Sequence, residues 1–223
     1  MITLGLDPSL RGFGWCLHRS TVVGRARVIS KGVWHAPSTR SFIWRYMFMR
    51  KMVGDLVDGH PEIEGVGLES PIFGETWSEG AYGLFLYTIE ALFVRLKDVV
   101  LFGPHTVKLL AKMDPKVRRG TMDKRDMIEA ARADTQVREW DHNEADAYLI
   151  ARSAARFWDL YRGHISEEEL TPSEKHSFTR VHTYRTGRKV SRGIIFREGD
   201  RFFPFSALSP QDIESIKCLQ QQQ

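Results

Sequence analysis

The sequence has only two cysteines, Cys16 and Cys218, and they lie far apart. Such a pair offers neither a disulfide framework nor a clustered thiolate site for a metal, and it fits a reducing compartment. No apolar run reaches the length that a membrane span needs. The chain runs from Met1 directly into a strand-like stretch, Ile2–Leu6, without the basic region and cleavage site of a leader. There is no internal repeat, and the only low-complexity stretch is the Gln220–Gln223 tail. These absences predict a soluble, cytoplasmic protein with no membrane partner. The 223 residues, 42% of them hydrophobic, supply one substantial core and an appendage but not two full domains. A net charge of +4 permits a polyanionic partner without requiring one, so the location of the charge matters more than its sum.

What is present is a run of alternating elements. Ile2-Thr3-Leu4-Gly5-Leu6-Asp7, a turn through Pro8 and Gly12, and Phe13–Leu17 read as strand, tight turn and strand. Val28–Trp34 supplies a third strand. Phe42, Tyr46, Met49, Val53 and Leu56 recur on one face of a helix that stops at Gly59 and Pro61. Gly65–Ser70 reads as a short buried strand ending in a carboxylate. A long apolar helix follows, roughly Trp77–Leu96, then a strand at Val99–Phe102. Two helical segments surround a basic loop, roughly Met113–Met122, and a last core helix runs from about His142 to Trp158.

Three strands followed by alternation predict an α/β domain with a mixed sheet flanked by helices over residues 1–162. Residues 163–219 read as a small α+β appendage of helix, hairpin and helix, and 220–223 as a tail. Thr171-Pro172-Ser173-Glu174 and Ser209-Pro210-Gln211-Asp212 carry helix-start signals. Val190–Phe196 and Arg201–Phe205 flank Glu198-Gly199-Asp200 as an expected hairpin. A unit this small is marginal alone and is expected to pack on the main domain.

The signal that carries chemistry is the placement of Asp7, Glu69 and Asp146. Functional groups of open α/β sheets gather beyond the carboxyl ends of neighbouring strands, and Asp7 and Glu69 each end an apolar strand. Asp146 sits early in a helix whose Ala145, Ala147 and Ala151 allow close packing on the sheet. Three converging carboxylates repel one another unless a cation neutralises them, and Mg²⁺ or Mn²⁺ prefers such hard oxygen ligands. Two such ions roughly 4 Å apart can activate a water and stabilise the leaving oxygen of a phosphodiester. Taken singly, the residues have plainer explanations: Asp7 before Pro8-Ser9 is an ordinary turn former. Asp141 and Glu144 are the cap and third position of a capping box. Glu69 is harder to explain away, since an unpaired charge at the edge of a buried strand is costly. The combination outweighs its members.

Gly5-Leu6-Asp7-Pro8-Ser9-Leu10-Arg11-Gly12-Phe13-Gly14-Trp15, Gly67-Leu68-Glu69 and Asn143-Glu144-Ala145-Asp146-Ala147-Tyr148 together resemble the RuvC family of Holliday-junction resolvases. Pro104-His105-Thr106-Val107-Lys108 and Asp123-Lys124-Arg125 are similar to that family's DNA-contacting region, and the resemblance spans residues 1–158. It implies a ribonuclease-H-like fold and a homodimer that binds a four-way DNA junction. Each subunit would nick one strand, leaving symmetric, ligatable ends, with two Mg²⁺ or Mn²⁺ ions per active site. Asp7, Glu69 and Asp146 fall on three of the family's catalytic, metal-binding positions. Asn143 falls on the fourth, where the family usually has Asp or His; an amide can coordinate through its oxygen but brings no charge and no base. The family's wedge aromatic has its nearest counterpart in Phe73, one position displaced, and a core role for Phe73 stands beside that reading. The appendage lies outside the family's core pattern and suggests a divergent relative of phage type.

From Pro104 to Asp126 seven cations (Lys108, Lys112, Lys116, Arg118, Arg119, Lys124, Arg125) face three Asp, a local excess that equals the charge of the whole chain. Beside three carboxylates, such a loop suits a phosphate backbone; on its own it would be an ordinary solvated surface. A second cluster, Arg185, Arg188, Lys189, Arg192 and Arg201 interleaved with Tyr184 and Phe196, is either an extension of the DNA footprint or a hairpin surface. The helix of Tyr82–Leu96 is apolar nearly all round, so a two-fold partner or the appendage must cover its outer side. The expectation is therefore a crossover junction endodeoxyribonuclease. Its competitors are a related nuclease of flaps, forks or other branched nucleic acid, and a weakly catalytic branched-DNA-binding protein. The actin and sugar-kinase fold opens similarly but needs two domains and a Gly-rich phosphate loop, which this chain lacks.

Overall fold

The computed structural model describes residues 1–20, 27–70, 79–111, 122–135, 137–183, 190–194 and 202–203, with a few positions between 211 and 218. Strands β1 (Ile2–Asp7), β2 (Phe13–Arg19) and β3 (Arg27–Trp34) form an antiparallel meander. Helix α1 (Phe42–Gly59), capped by the Ser41 hydroxyl, returns the chain to β4 (Gly65–Glu69), which pairs parallel with β1. Helix α2 (Glu79–Phe93) crosses to β5 (Val99–Phe102), parallel to β4. Then follow α3 (Pro104–Ala111), α4 (Lys124–Asp134) and α5 (His142–Tyr161). The sheet is mixed, as the sequence predicts, with the order β3-β2-β1-β4-β5 and a short β8 (Phe202–Phe203) antiparallel on β5. Among the described residues no helix is long and apolar enough to cross a membrane.

The two faces of the sheet are built differently because a strand alternates its side chains. Leu4, Leu6, Val66, Leu68, Val99 and Leu101 point to one face, where they pack with Met49, Val53 and Val57 of α1 and Leu84 and Leu92 of α2. The other face carries Gly5 on β1 and Gly65 and Gly67 on β4, and α5 lies directly on them. A Cβ at Gly5 would sit 2.0 Å from the Ala147 carbonyl, and one at Gly67 would sit 2.8 Å from the Ala154 methyl and 3.0 Å from the Ile150 carbonyl. Gly14 of β2 is equally constrained, since its Cβ would meet the Asn143 carbonyl at 2.2 Å. Gly5 and Gly67 are register partners. Each stands two residues before a strand-end carboxylate, Asp7 or Glu69, and so on the same face as it.

Helix α5 is tied laterally as well as downward. The Tyr148 hydroxyl donates to Asp134 at the end of α4; Arg152 donates to the same carboxylate at 2.9 Å and to the Leu110 carbonyl of α3 at 2.8 Å. Beyond α5 the chain forms a single helical turn, Glu167–Glu169, and α6 (Pro172–Phe178), whose start falls where Thr171-Pro172 signals it. Leu170 and Phe178 are buried in the same core as α5, and Arg156 of α5 pairs with Glu174 at 2.9 Å.

The hairpin differs from expectation. Val190–Ile194 (β7) pairs with Thr179–Thr183 (β6), and Phe202–Phe203 joins the main sheet instead of pairing with β7. The expected turn at 198–200 lies outside the described residues. Arg185, Arg188, Lys189, Arg201, Tyr184 and Phe196 lie outside the described residues, as do the side chain of Arg192 and most of the expected helix after Ser209.

The contact at Gly5 leaves no room to relax, because the obstacle is backbone. Gly5→Ala is expected to destabilise the protein by about 3 kcal/mol, at the upper end of overpacking costs. Urea denaturation measures it; a loss below about 0.5 kcal/mol would mean that α5 does not sit at this depth.

Candidate active site

Asp7 ends β1, Glu69 ends the neighbouring parallel β4, and α5 brings Asp146 down onto both. Helix α5 starts where the capping box places it. Asp141 accepts from the Asn143 amide at 2.8 Å, and Glu144 accepts from the Asp141 amide at 3.1 Å. Both acids are thereby occupied with helix initiation, as the sequence suggests, and Glu144 also pairs with Lys31 of β3. Asp146, one turn further on, is free of these duties.

The three carboxylates perturb one another. Asp7 is raised well above the ordinary carboxylate range, first by burial and then by the neighbouring Glu69, to which it is hydrogen-bonded. Glu69 is raised by burial and by the charge of Asp146, while the hydrogen bond with Asp7 works the other way. A hydrogen bond between two carboxyl groups needs one proton between them, so the pair titrates as a unit. Asp146 is pushed up to about 7, by burial first and by Asp7 second. Its Oδ1 is buried without a hydrogen-bond partner, a condition that costs stability and that a cation would relieve. Among the described residues no three Asp, Glu, His or Cys side chains converge on a single point as ligands would. The carboxylates instead stand as a proton-sharing pair with a third acid at its side. The donors fit a hard divalent cation: all are oxygen, all carry potential negative charge, and one is unsatisfied.

Two of the expected cations face this cluster. Lys108 of α3 acts on Glu69 and Asp146, and Lys124 at the start of α4 acts on Asp7 and Asp146, in each case favouring the ionised carboxylate. Arg125 lies exposed in the same first turn, after an Asp123 cap that accepts from the Arg125 and Asp126 amides. Lys112, Lys116, Arg118, Arg119 and Phe73 lie outside the described residues. Asn143 sits one turn before Asp146, with its amide nitrogen 2.8 Å from the point where a Gly12 Cβ would stand. It packs on the β1–β2 turn, and no described hydrogen bond joins it to the carboxylates. The residues that sequence reasoning passed over are Gly5 and Gly67, whose signal was the repeated Gly-x-acid register, and Gly14 and the Asp134–Tyr148–Arg152 network, which have no local signal.

In a scan of protein-family models none matches, and no curated protein is a match. Solved structures are similar. Thermus thermophilus RuvC superposes with a TM-score of 0.57 at 20% identity, over 68% of this chain and 91% of that one. The same organism's RuvC in complex with Holliday junction substrate gives 0.55 at 20% identity, over 68% and 90%. The chain therefore has an α/β fold of the ribonuclease-H-like class. Over the matched residues it shares the fold of that RuvC.

The raised carboxylates fix a pH dependence. The folded protein retains protons that the unfolded chain gives up above about pH 4, so the site costs stability increasingly as pH rises from about 4 through 7. In EDTA, Asp146→Asn is expected to raise stability at pH 8 by about 2 kcal/mol, a gain that vanishes near pH 4. Urea midpoints at the two pH values measure this; a gain independent of pH would refute the cause given.

Proposed function

We propose that this chain is a divalent-cation-dependent endonuclease that resolves four-way DNA junctions by paired symmetric nicks. The observation that carries the reading is the cluster of Asp7, Glu69 and Asp146, three mutually repelling acids with an unsatisfied buried oxygen, between Lys108 and Lys124. Asp7, Glu69 and Asp146 would hold two Mg²⁺ or Mn²⁺ ions, with the Asn143 side-chain oxygen as a further ligand. Bound there, the cation would supply a nucleophilic water at neutral pH and charge neutralisation at the phosphate. The chain's own groups do the rest. Lys108 and Lys124 attract the phosphodiester to a site that would otherwise repel it, and Glu69 and Asp146, fixed on a strand end and a helix, need no reorganisation as charge develops. The similarity in fold to a RuvC solved with a Holliday junction substrate supports a branched DNA substrate.

A two-fold partner suits a near-symmetric junction. Among the described residues eight large hydrophobics are exposed, and six of them, Phe42, Ile43, Trp44, Met47, Tyr82 and Leu86, lie on α1 and α2. The described elements of the appendage pack instead beside α3 and β5. A second copy of the chain on the α1–α2 face would cover these side chains. Sedimentation is expected to show a dimer that Ile43→Glu with Met47→Glu converts to a monomer; a wild-type monomer at tens of micromolar would remove the dimer from the account.

The test of activity is strand cleavage of an end-labelled immobile four-way junction beside a linear duplex and a flap of matching sequence. Paired nicks on the junction with Mg²⁺ or Mn²⁺, abolished by EDTA and reduced at least about 10³-fold by Asp7→Asn, are expected. Equal cutting of all three substrates would replace the resolvase with a broader branch nuclease. Binding without cutting would leave a branched-DNA-binding protein.

A further inference from the structure

The turn that joins β1 to β2, residues 8–12, begins immediately after Asp7 and is held from three sides. Arg45 of α1 donates through Nη2 to the Leu10 carbonyl. His35, at the end of β3, meets the Arg11 carbonyl through Nδ1 at 2.8 Å; a carbonyl only accepts, so that nitrogen carries the hydrogen. Gly12 is wedged between α5 and His35: a Cβ there would lie 2.8 Å from the Asn143 amide nitrogen and 3.4 Å from the His35 ring. Within the turn the Arg11 amide donates to the Ser9 hydroxyl at 3.3 Å.

The Arg45 contact is an expensive one. Its side chain is buried, 9% exposed, and its Nε has no hydrogen-bond partner. No carboxylate pairs with it among the described residues. A buried arginine whose hydrogen bond among the described residues goes to a backbone carbonyl costs stability, and what that bond secures is the position of this turn. The residue the turn presents is Arg11, exposed, with no partner for its guanidinium among the described residues.

Sheet order gives that arginine its meaning. The strands run β3-β2-β1-β4-β5, so Asp7 and Glu69 stand on the middle pair. Lys108 reaches them from α3, directly after β5, on one flank. Arg11 and His35 leave β1 and β3 on the opposite flank. We propose that Arg11 is a phosphate-binding residue, presented by a turn that Arg45, His35 and Asn143 hold. A DNA strand then crosses the carboxylates with Lys108 and Lys124 under one side and Arg11 under the other. The inference rests on the proposed nuclease reading, and it adds a contact outside the 104–126 segment.

The experiment is binding of the full chain, in EDTA so that nothing is cut, to a labelled four-way junction and a linear duplex over a series of salt concentrations. Losing one phosphate contact lowers the slope of log affinity against log salt by about one. Arg11→Gln is expected to weaken binding about 3- to 10-fold at low salt and to lower the slope by about one, while Arg11→Lys keeps the slope. Arg11 is exposed, so neither variant threatens folding. Arg45→Lys is expected to weaken binding in the parent and to have no further effect beside Arg11→Gln. An unchanged slope in Arg11→Gln, or an Arg45 effect that persists in full without Arg11, overturns the proposal. Junction preference is read separately: a wild-type chain that binds both DNAs equally loses the resolvase reading, while the slope on duplex still decides Arg11.

Discussion

The close approach of α5 to the sheet is the constraint on which the rest depends. A helix normally rides on a sheet at a separation set by the side chains between them. Here the intervening positions, Gly5, Gly14 and Gly67, carry none, and backbone of α5 fills the space to within 2.0–3.0 Å of where their Cβ atoms would be. That depth is what brings a side chain as short as aspartate, at position 146, close enough for its charge to act on the acids at the ends of β1 and β4. The same strand period that places glycine against the helix places Asp7 and Glu69 on the helix side two residues later. Core packing and site assembly are thus one arrangement: the Leu and Val residues of β1 and β4 anchor the opposite face on α1 and α2, and the glycines bring in the third carboxylate.

Bringing three acids together has an electrostatic consequence that the local environment only partly offsets. Burial and mutual repulsion raise all three, Lys108 and Lys124 pull the other way, and the outcome is a proton held between Asp7 and Glu69. Such tension is wasteful in a purely structural cluster, where an amide or hydroxyl would serve better. It is useful where a divalent cation is to displace the proton. The Asp134–Tyr148–Arg152 network gives the arrangement lateral rigidity, because it ties α5 to the two helices that carry Lys108 and Lys124.

Much of this was legible in the residues. Strand, turn and strand from Ile2 to Leu17, the Gly65–Glu69 strand, the α5 capping box and the appendage helix at Pro172 all follow from local patterns, and each is where its pattern puts it. The pairing of Phe202–Phe203 with β5 joins residues distant in sequence, to which no local signal points, and β7 pairs with β6, a strand just before it that the pattern did not mark. The part played by Gly5 and Gly67 was hidden because glycine in a strand reads first as weakness. Arg45 fell within a helical pattern that explained its neighbours, and nothing local marks it as buried.

The central claim is that the three acids form one proton-holding unit fit for a divalent cation, and proton release tests it most directly. Titrating Mn²⁺ into the protein at pH 7, by calorimetry in two buffers of different ionisation enthalpy, counts the protons displaced. The account predicts binding with release of about one proton per chain, reduced in Asp7→Asn. Binding with no proton release, or no binding at all, would contradict it.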